Sequence, residues 1–160
     1  MLKLYLYLVT DRYIHYLSNF VSQNIFSNIG TNYRTSRKYL GVVLEIGNYK
    51  YYVPLSSPKN SDYLIDKSGQ QVIRKSIIPI IRIIEFNSQG QAHLLGTLKF
   101  NSMIPVPDSE IIIYDLRQET DIKYKTLIEK EIRFINRNTK IILDHASVIY
   151  KQKISGLDIN

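Results

Sequence analysis

The sequence predicts an α+β fold: a strongly curved antiparallel β-sheet with helices packed on it and a helical C-terminal part. Three observations predict it. Strand-like stretches of alternating or β-branched apolar residues recur through residues 2–106, and Gly-Asn or Gly-containing turns separate several of them. After Asp121 the apolar period changes from two to that of a helix. A sheet and helices segregated along the chain in this way belong to the α+β class. The chain has 160 residues, and no repeat, low-complexity tract or linker divides it, so residues 1–160 are expected to form one domain.

Taking the elements in order, residues 2–9 alternate leucine with Lys3, Tyr5 and Tyr7, a strand pattern. Thr10 or Asp11 caps a short helix over residues 11–20, with Tyr13, Ile14, Leu17 and Phe20 on one face. Residues 21–37 are rich in Asn, Ser, Gly and Thr and read as a long loop, a length that in small domains is often functional. The clearest element is a hairpin of residues 39–46 and 49–55 around Gly47-Asn48. Residues 56–69 read as a polar loop. Residues 77–86 are β-rich, with Pro79 pointing to a sheet edge or a bulge. A turn at residues 87–90 leads to a strand near residues 94–100, and residues 103–106 and 111–114 are short extended pieces. Tyr124, Leu127, Ile128, Ile132 and Ile135 then mark a helix, broken near residues 136–139 and followed by a last helix over residues 141–154.

Composition excludes several functions. There is no cysteine, so disulfides, thiolate metal sites and a cysteine nucleophile are absent. His15, His93 and His145 lie far apart in sequence without carboxylates at ligand spacing, so no catalytic metal is expected, and no other cofactor. No nucleophile elbow, Walker A or dinucleotide-binding glycine pattern occurs. The N-terminal apolar run is too short to span a membrane and lacks the basic lead of a signal peptide. A soluble cytoplasmic protein without a membrane partner is expected.

The formal net charge is +7, and its distribution is uneven. Residues 1–105 hold twelve Lys/Arg and five Asp/Glu, whereas residues 106–160 hold nine of each. The positive excess therefore belongs to the strand-rich part, as a localised polyanion site requires. Thirteen tyrosines and no tryptophan add rings that can stack on unpaired bases, although Tyr is also an ordinary strand residue.

One turn offers chemistry suited to a phosphodiester. Pro54-Leu55-Ser56-Ser57-Pro58-Lys59 places two hydroxyls and an ammonium at a strand exit on a proline-fixed turn. Hydroxyls can donate to phosphate oxygens, and a cation can stabilise developing charge. By itself Ser-Ser-Pro is also common turn chemistry.

The wider pattern resembles the ToxN/AbiQ family of type III toxin endoribonucleases. The hairpin from Tyr39 to Val53 followed by Pro54-Leu-Ser-Ser-Pro-Lys59 is similar to the family's Pro-Leu-[Thr/Ser]-Ser-Pro-Lys hallmark. Tyr7-Leu-Val-Thr-Asp-Arg-Tyr-Ile-His-Tyr-Leu17 resembles the family's opening strand and helix. Gly96-Thr-Leu-Lys-Phe-Asn-Ser-Met-Ile-Pro-Val106 resembles its second signature, and Asp115-Leu116 with the helix from Tyr124 continue the match. Residues 60–95 and the last twenty match poorly.

The resemblance implies a Kid/MazF-like core and a metal-independent endoribonuclease that cuts single-stranded RNA. It implies an antitoxin RNA from tandem repeats, folded as a pseudoknot, which the toxin processes and which inhibits it in a closed protein–RNA assembly. Cellular and phage transcripts are the implied targets, with growth arrest or abortive infection as the outcome. Cleavage then uses the 2′-hydroxyl as nucleophile and leaves a 2′,3′-cyclic phosphate and a 5′-hydroxyl. Residue by residue, Ser57 is expected to bond the scissile phosphate or 2′-hydroxyl and Ser56 to orient the same group. Lys59 is expected to be the main electrostatic stabiliser and a candidate proton donor. Arg37 falls where the family usually has Lys. An arginine cannot shuttle a proton, so it clamps phosphate, with Lys38 as the alternative. Tyr33 matches a loop tyrosine that stacks a base or relays a proton. Tyr13 matches a helix tyrosine near the site, although it also lies on its helix's apolar face. Arg12, Arg34, Lys38, Lys50, Lys67, Arg74, Lys75, Arg82 and Lys99 are candidate phosphate contacts. The competing expectation is a single-stranded-RNA-binding module without catalysis, for which basic charge and tyrosines suffice.

Overall fold

Leu4 and Leu6 point to one side of the first strand, β1 (Tyr5–Val9), and Tyr7 and Val9 to the other. That alternation divides the core in two, one cluster on each face of the sheet. The structure is a computed structural model in which residues 3–20 and 36–155 are described. After β1 come helix α1 (Asp11–Phe20), β2 (Tyr39–Ile46), β3 (Tyr49–Ser56), β4 (Tyr63–Ile65) and β5 (Gln71–Ile73). They are followed by β6 (Ile80–Phe86), β7 (Ala92–Lys99), β8 (Ile104–Pro105), β9 (Ile111–Ile113), α2 (Ile122–Arg137) and α3 (Thr139–Ile154).

The main sheet is antiparallel, in the order β6-β7-β3-β2-β1-β9, with β8 also pairing with β3. Helices α2 and α3 cover one face, burying Ile128, Ile135, Ile142, Ala146 and Ile149 against Leu40, Val53, Leu98 and Phe100. The other face carries α1, whose Ile14 packs with Tyr39, Tyr52, Ile104 and Val106. The expected α+β class and the antiparallel sheet with C-terminal helices are therefore present.

The hairpin predicted around Gly47-Asn48 forms with Ile46 opposite Tyr49, and Gly47 takes the positive φ of 58° that its turn position requires. Strand β3 changes neighbours along its length. Tyr51 and Tyr52 face β8, whereas Leu55 and Ser56 face Leu98 and Thr97 of β7. The exit of β3 thus lies between the start of β2 and strand β7. Strand β6 ends the sheet, so Pro79 sits just before an edge strand, as expected.

Two expectations need correction. Residues 56–69 are not merely a loop: β4 pairs with β5 in a separate small hairpin. Its turn is fastened by the Asp66 carboxylate, which accepts the Ser68 and Gln70 N–H groups at 2.9 Å, and by Gly69 at φ +85°. Strands of three largely exposed residues carry no apolar alternation from which to read them. The last helix begins at Thr139 rather than residue 141, because Asn138 both ends α2 and starts α3. Helix α2 opens where expected, with the Asp121 carboxylate accepting the Tyr124 N–H at 2.9 Å.

Candidate active site

Where β3 parts from β2 and meets β7, helix α2 stands off the sheet and leaves a cleft of about 370 Å³. Ser36, Arg37 and Lys38 line it from the lead-in to β2, Leu55, Ser56 and Ser57 from the exit of β3, and Leu95 from β7. Tyr124, Leu127, Ile128 and Glu131 close it from α2. Two hydrogen bonds fix the first two walls to each other. The Leu55 N–H donates to the Lys38 carbonyl at 2.9 Å, and Arg37 Nη1 donates to the Leu55 carbonyl at 2.9 Å. The guanidinium is thereby held beside the two serines. Burial lowers the Arg37 pKa from its ordinary value, yet an arginine stays charged at any working pH. Ser56 is buried and its hydroxyl donates to the Ser57 carbonyl at 3.2 Å, whereas Ser57 is exposed.

Beneath the serines lie two ionisable groups. Lys38 is only 3% exposed; its ammonium donates to the Ser36 carbonyl at 2.8 Å and lies over the rings of Tyr114 and Tyr124, 5.0 and 5.1 Å from their centroids. Glu131 is 5% exposed. Burial pushes its carboxyl up to about 8, with Lys38 pulling the other way.

Lys59 stands two residues beyond Ser57, exposed and outside the cleft lining. Its backbone is fixed from below. The Asp62 carboxylate accepts the Lys59 N–H at 2.8 Å, and its other oxygen pairs with the buried guanidinium of Arg82. Burial works to raise the Asp62 pKa, but the Lys59 N–H and Arg82 outweigh it and hold the carboxyl below its usual value. Lys99, at the end of β7, joins this group. Burial lowers its pKa; Asp62 opposes that, and the Lys59 and Arg82 charges add to it. Lys59 and Lys99 therefore form a positive flank beside the β3 exit.

The structure gathers Arg37, Lys38, Ser56 and Ser57 at one cleft and places Lys59 and Lys99 together on its flank. It does not bring Tyr13 there. The Tyr13 hydroxyl donates to the Pro105 carbonyl at 2.5 Å on the α1 side of the sheet, beside Lys50 and Pro107. Its apolar-face alternative therefore describes it better than a place near the serines. Tyr33 and Arg34 lie outside the described residues. Lys38 and Arg82 are corrections to the list of surface phosphate contacts: both are buried, the first under aromatic rings and the second against Asp62. Arg12 is engaged by Glu110, with contacts of 2.6 and 2.5 Å, and Lys50 by Asp108 at 3.2 Å. Lys67, Arg74 and Lys75 are exposed on or just after the β4–β5 hairpin.

Sequence reasoning missed Glu131 and Asp62. Glu131 had a signal: it interrupts the apolar stripe Ile128, Ile132, Ile135, where a carboxyl is out of place unless it has a task. Asp62 had none, because its partner Arg82 is distant in sequence. Among the described residues no group of three or more His, Asp or Glu could hold a metal ion, and no helix is long and apolar enough to cross a membrane.

Comparison with known proteins gives the family of the chain as a whole. The chain is 25% identical over 150 residues to the endoribonuclease ToxN of Pectobacterium atrosepticum, covering 94% of this chain and 81% of that protein. It is 32% identical over 144 residues to the endoribonuclease AbiQ of Lactococcus lactis subsp. lactis, covering 90% and 72%. Its fold matches a solved type III toxin described as selectively inhibited by a non-coding RNA pseudoknot, with TM-score 0.71 and 24% identity over 92% of this chain and 78% of that one. The family model for the toxin ToxN of type III toxin–antitoxin systems matches residues 5–160, and the chain belongs to that family.

Proposed function

We propose that this type III toxin is an endoribonuclease that cuts single-stranded RNA at the β3 exit without a metal. The observation that carries the reading is the cleft itself: Arg37 and the two serines meet there under backbone hydrogen bonds, with Lys59 and Lys99 on its flank. A phosphodiester in this position meets the Arg37 guanidinium, whose planar donors suit phosphate oxygens, and the exposed Ser57 hydroxyl. Ser56 orients the same turn through its bond to Ser57. The ribose 2′-hydroxyl attacks phosphorus, the O2′–P bond forms and the P–O5′ bond breaks. Arg37 and Lys59 stabilise the charge that develops, and Lys59 gives a proton to the leaving 5′ oxygen. The products are a 2′,3′-cyclic phosphate and a 5′-hydroxyl.

The exposed cations Lys67, Arg74 and Lys75 extend the positive surface along the RNA. The natural inhibitor is a pseudoknot antitoxin RNA, cut by the same cleft from a tandem-repeat precursor and held in a closed protein–RNA assembly. Freed toxin cuts cellular and phage transcripts in the cytoplasm, arresting growth or aborting infection. Residues 1–160 act as one toxin domain. We also read the sheet as strongly curved and Kid/MazF-like. The exchange of neighbours along β3 and the register shifts between Leu40 and Leu44 and between Ile83 and Ile84 support that, since bulges bend a sheet.

End-group analysis of RNA cut in the presence of a chelator tests the chemistry. A 5′-hydroxyl and a 2′,3′-cyclic phosphate are expected; a 5′-phosphate, or loss of cleavage on chelation, overturns the reading.

A further inference from the structure

Attack by a 2′-hydroxyl needs a group to take its proton, and the residues assigned so far do not supply one. Arginine cannot accept a proton, serine hydroxyls are far too weak as bases, and Lys59 is the proton donor. The Lys38 ammonium is held on the Ser36 carbonyl and over the Tyr114 and Tyr124 rings, and Tyr33 lies outside the described residues. His15 is exposed on α1, His93 lies near the start of β7, and His145 packs on Phe100 with ring centroids 5.5 Å apart. None of them lines the cleft. Residues 21–35, which precede Arg37, contain no His, Asp or Glu in their sequence.

Among the described residues that line the cleft, Glu131 is the one carboxyl. It projects from α2 toward the β3 exit. A Cβ added at Gly96 of β7 would lie 2.8 Å from Glu131 Oε2 and 3.2 Å from the Ser56 carbonyl oxygen. The carboxyl therefore occupies the space left by the missing side chain of Gly96, next to the backbone of the serine turn.

We propose that Glu131 is the catalytic base, taking the proton from the ribose 2′-hydroxyl at the Ser56–Ser57 turn. This rests on the nuclease reading above. In the step, a Glu131 carboxylate oxygen takes the 2′ proton as O2′–P forms, and the Lys59 ammonium protonates O5′ as P–O5′ breaks. Both groups then exchange protons with water, and no further reactant is required.

The surroundings suit a proton-exchanging carboxyl. Lys38 and Arg37 face it from the lead-in to β2, Tyr124 from its own helix, and Tyr114 lies under Lys38. Strands β3 and β7 present hydroxyls, backbone and Gly96. Glu85 of β6 is engaged by Lys130 at 3.1 Å, and His145 of α3 lies against Phe100. Burial in this setting raises the carboxyl to about 8, so that it binds and releases protons close to neutral pH.

The test is single-turnover cleavage of a mixed-sequence single-stranded transcript by the full chain, from about pH 5.5 to 9.5. A fully 2′-O-methylated copy, which cannot be cut, reports affinity. The unaltered protein should speed up about tenfold per pH unit and level off near 8. Glu131→Gln should cut about 100-fold more slowly without that inflexion, while binding the methylated copy within about threefold of the unaltered protein. Glu131→Asp should keep an inflexion with a lower plateau. A Glu131→Gln protein that cuts within about threefold of normal overturns the assignment and leaves the nuclease reading intact. Should that variant fail to fold, a flat profile for the unaltered protein between about pH 6.5 and 9 overturns it equally. No chelator-resistant cleavage by the unaltered protein overturns both.

Discussion

The guanidinium of Arg82 is buried against the carboxylate of Asp62, and that carboxylate's second oxygen accepts the backbone N–H of Lys59 at 2.8 Å. A cation counted from sequence as an RNA contact instead braces the turn that carries Lys59, the proposed catalytic lysine. Asp62→Ala would leave the Arg82 charge buried and unpaired, at a cost of about 3–5 kcal/mol. Denaturant unfolding should show that loss, and cleavage should fall with it because the Lys59 backbone is released. The folded-state pKa of Asp62 is depressed, so its contribution to stability is present above the ordinary carboxylate value and disappears as pH falls below about 4. Asp62→Asn should be less sensitive to that acid range than the unaltered protein.

Ser57→Ala and Lys59→Ala should separate catalysis from binding. Each removes one group that the proposed mechanism directs at the scissile phosphate, and loss of one such donor costs about 100- to 1,000-fold in rate. RNA affinity should change by no more than a few-fold, because Arg37 and the exposed cations remain. Cleavage assays and filter binding on the same preparations check this. A parallel loss of affinity and rate would favour a binding module over an enzyme.

Stability should fall as pH rises across the neutral range. The Glu131 carboxyl titrates near 8 in the folded chain and near the ordinary carboxylate value when unfolded, so the folded state holds its proton more tightly. The stabilisation is complete below about pH 4 and is lost progressively up to about pH 8, on the order of 3–5 kcal/mol in all. Glu131→Gln removes the ionisation and should flatten this dependence in thermal unfolding between those limits.

RNA binding should weaken steeply with salt, and the exposed cations should set the slope. For single strands each phosphate contact contributes about 0.7 to the slope of log K against log salt. Replacing Lys67, Arg74 and Lys75 together should reduce the slope by about 2. Arg12→Ala and Lys50→Ala should change it less, because Glu110 and Asp108 already neutralise them.

Two glycines should not accept a side chain. A Cβ at Gly41 would lie 2.2 Å from the Tyr52 ring, and one at Gly96 would press on Glu131 and the Ser56 carbonyl. Each alanine substitution should cost about 1–3 kcal/mol. Only Gly96→Ala should also slow cleavage, since it alone displaces cleft groups.

The elements that depend on neighbouring residues were legible from the sequence alone. The β2–β3 hairpin follows from alternation around Gly47-Asn48, α1 from its apolar face, and α2 from the stripe after Asp121. The serine–lysine turn was legible too, because its donors are consecutive. What only the tertiary structure decided is which charges meet. Arg82 finds Asp62, Arg12 finds Glu110, and Lys38 goes under Tyr114 and Tyr124. Glu131 reaches from α2 into the space above Gly96. Sequence gives the number and sign of charges, but burial and pairing are set by strand register and helix placement between residues far apart in the chain. A cation therefore reads the same in the sequence whether it faces RNA or a buried carboxylate.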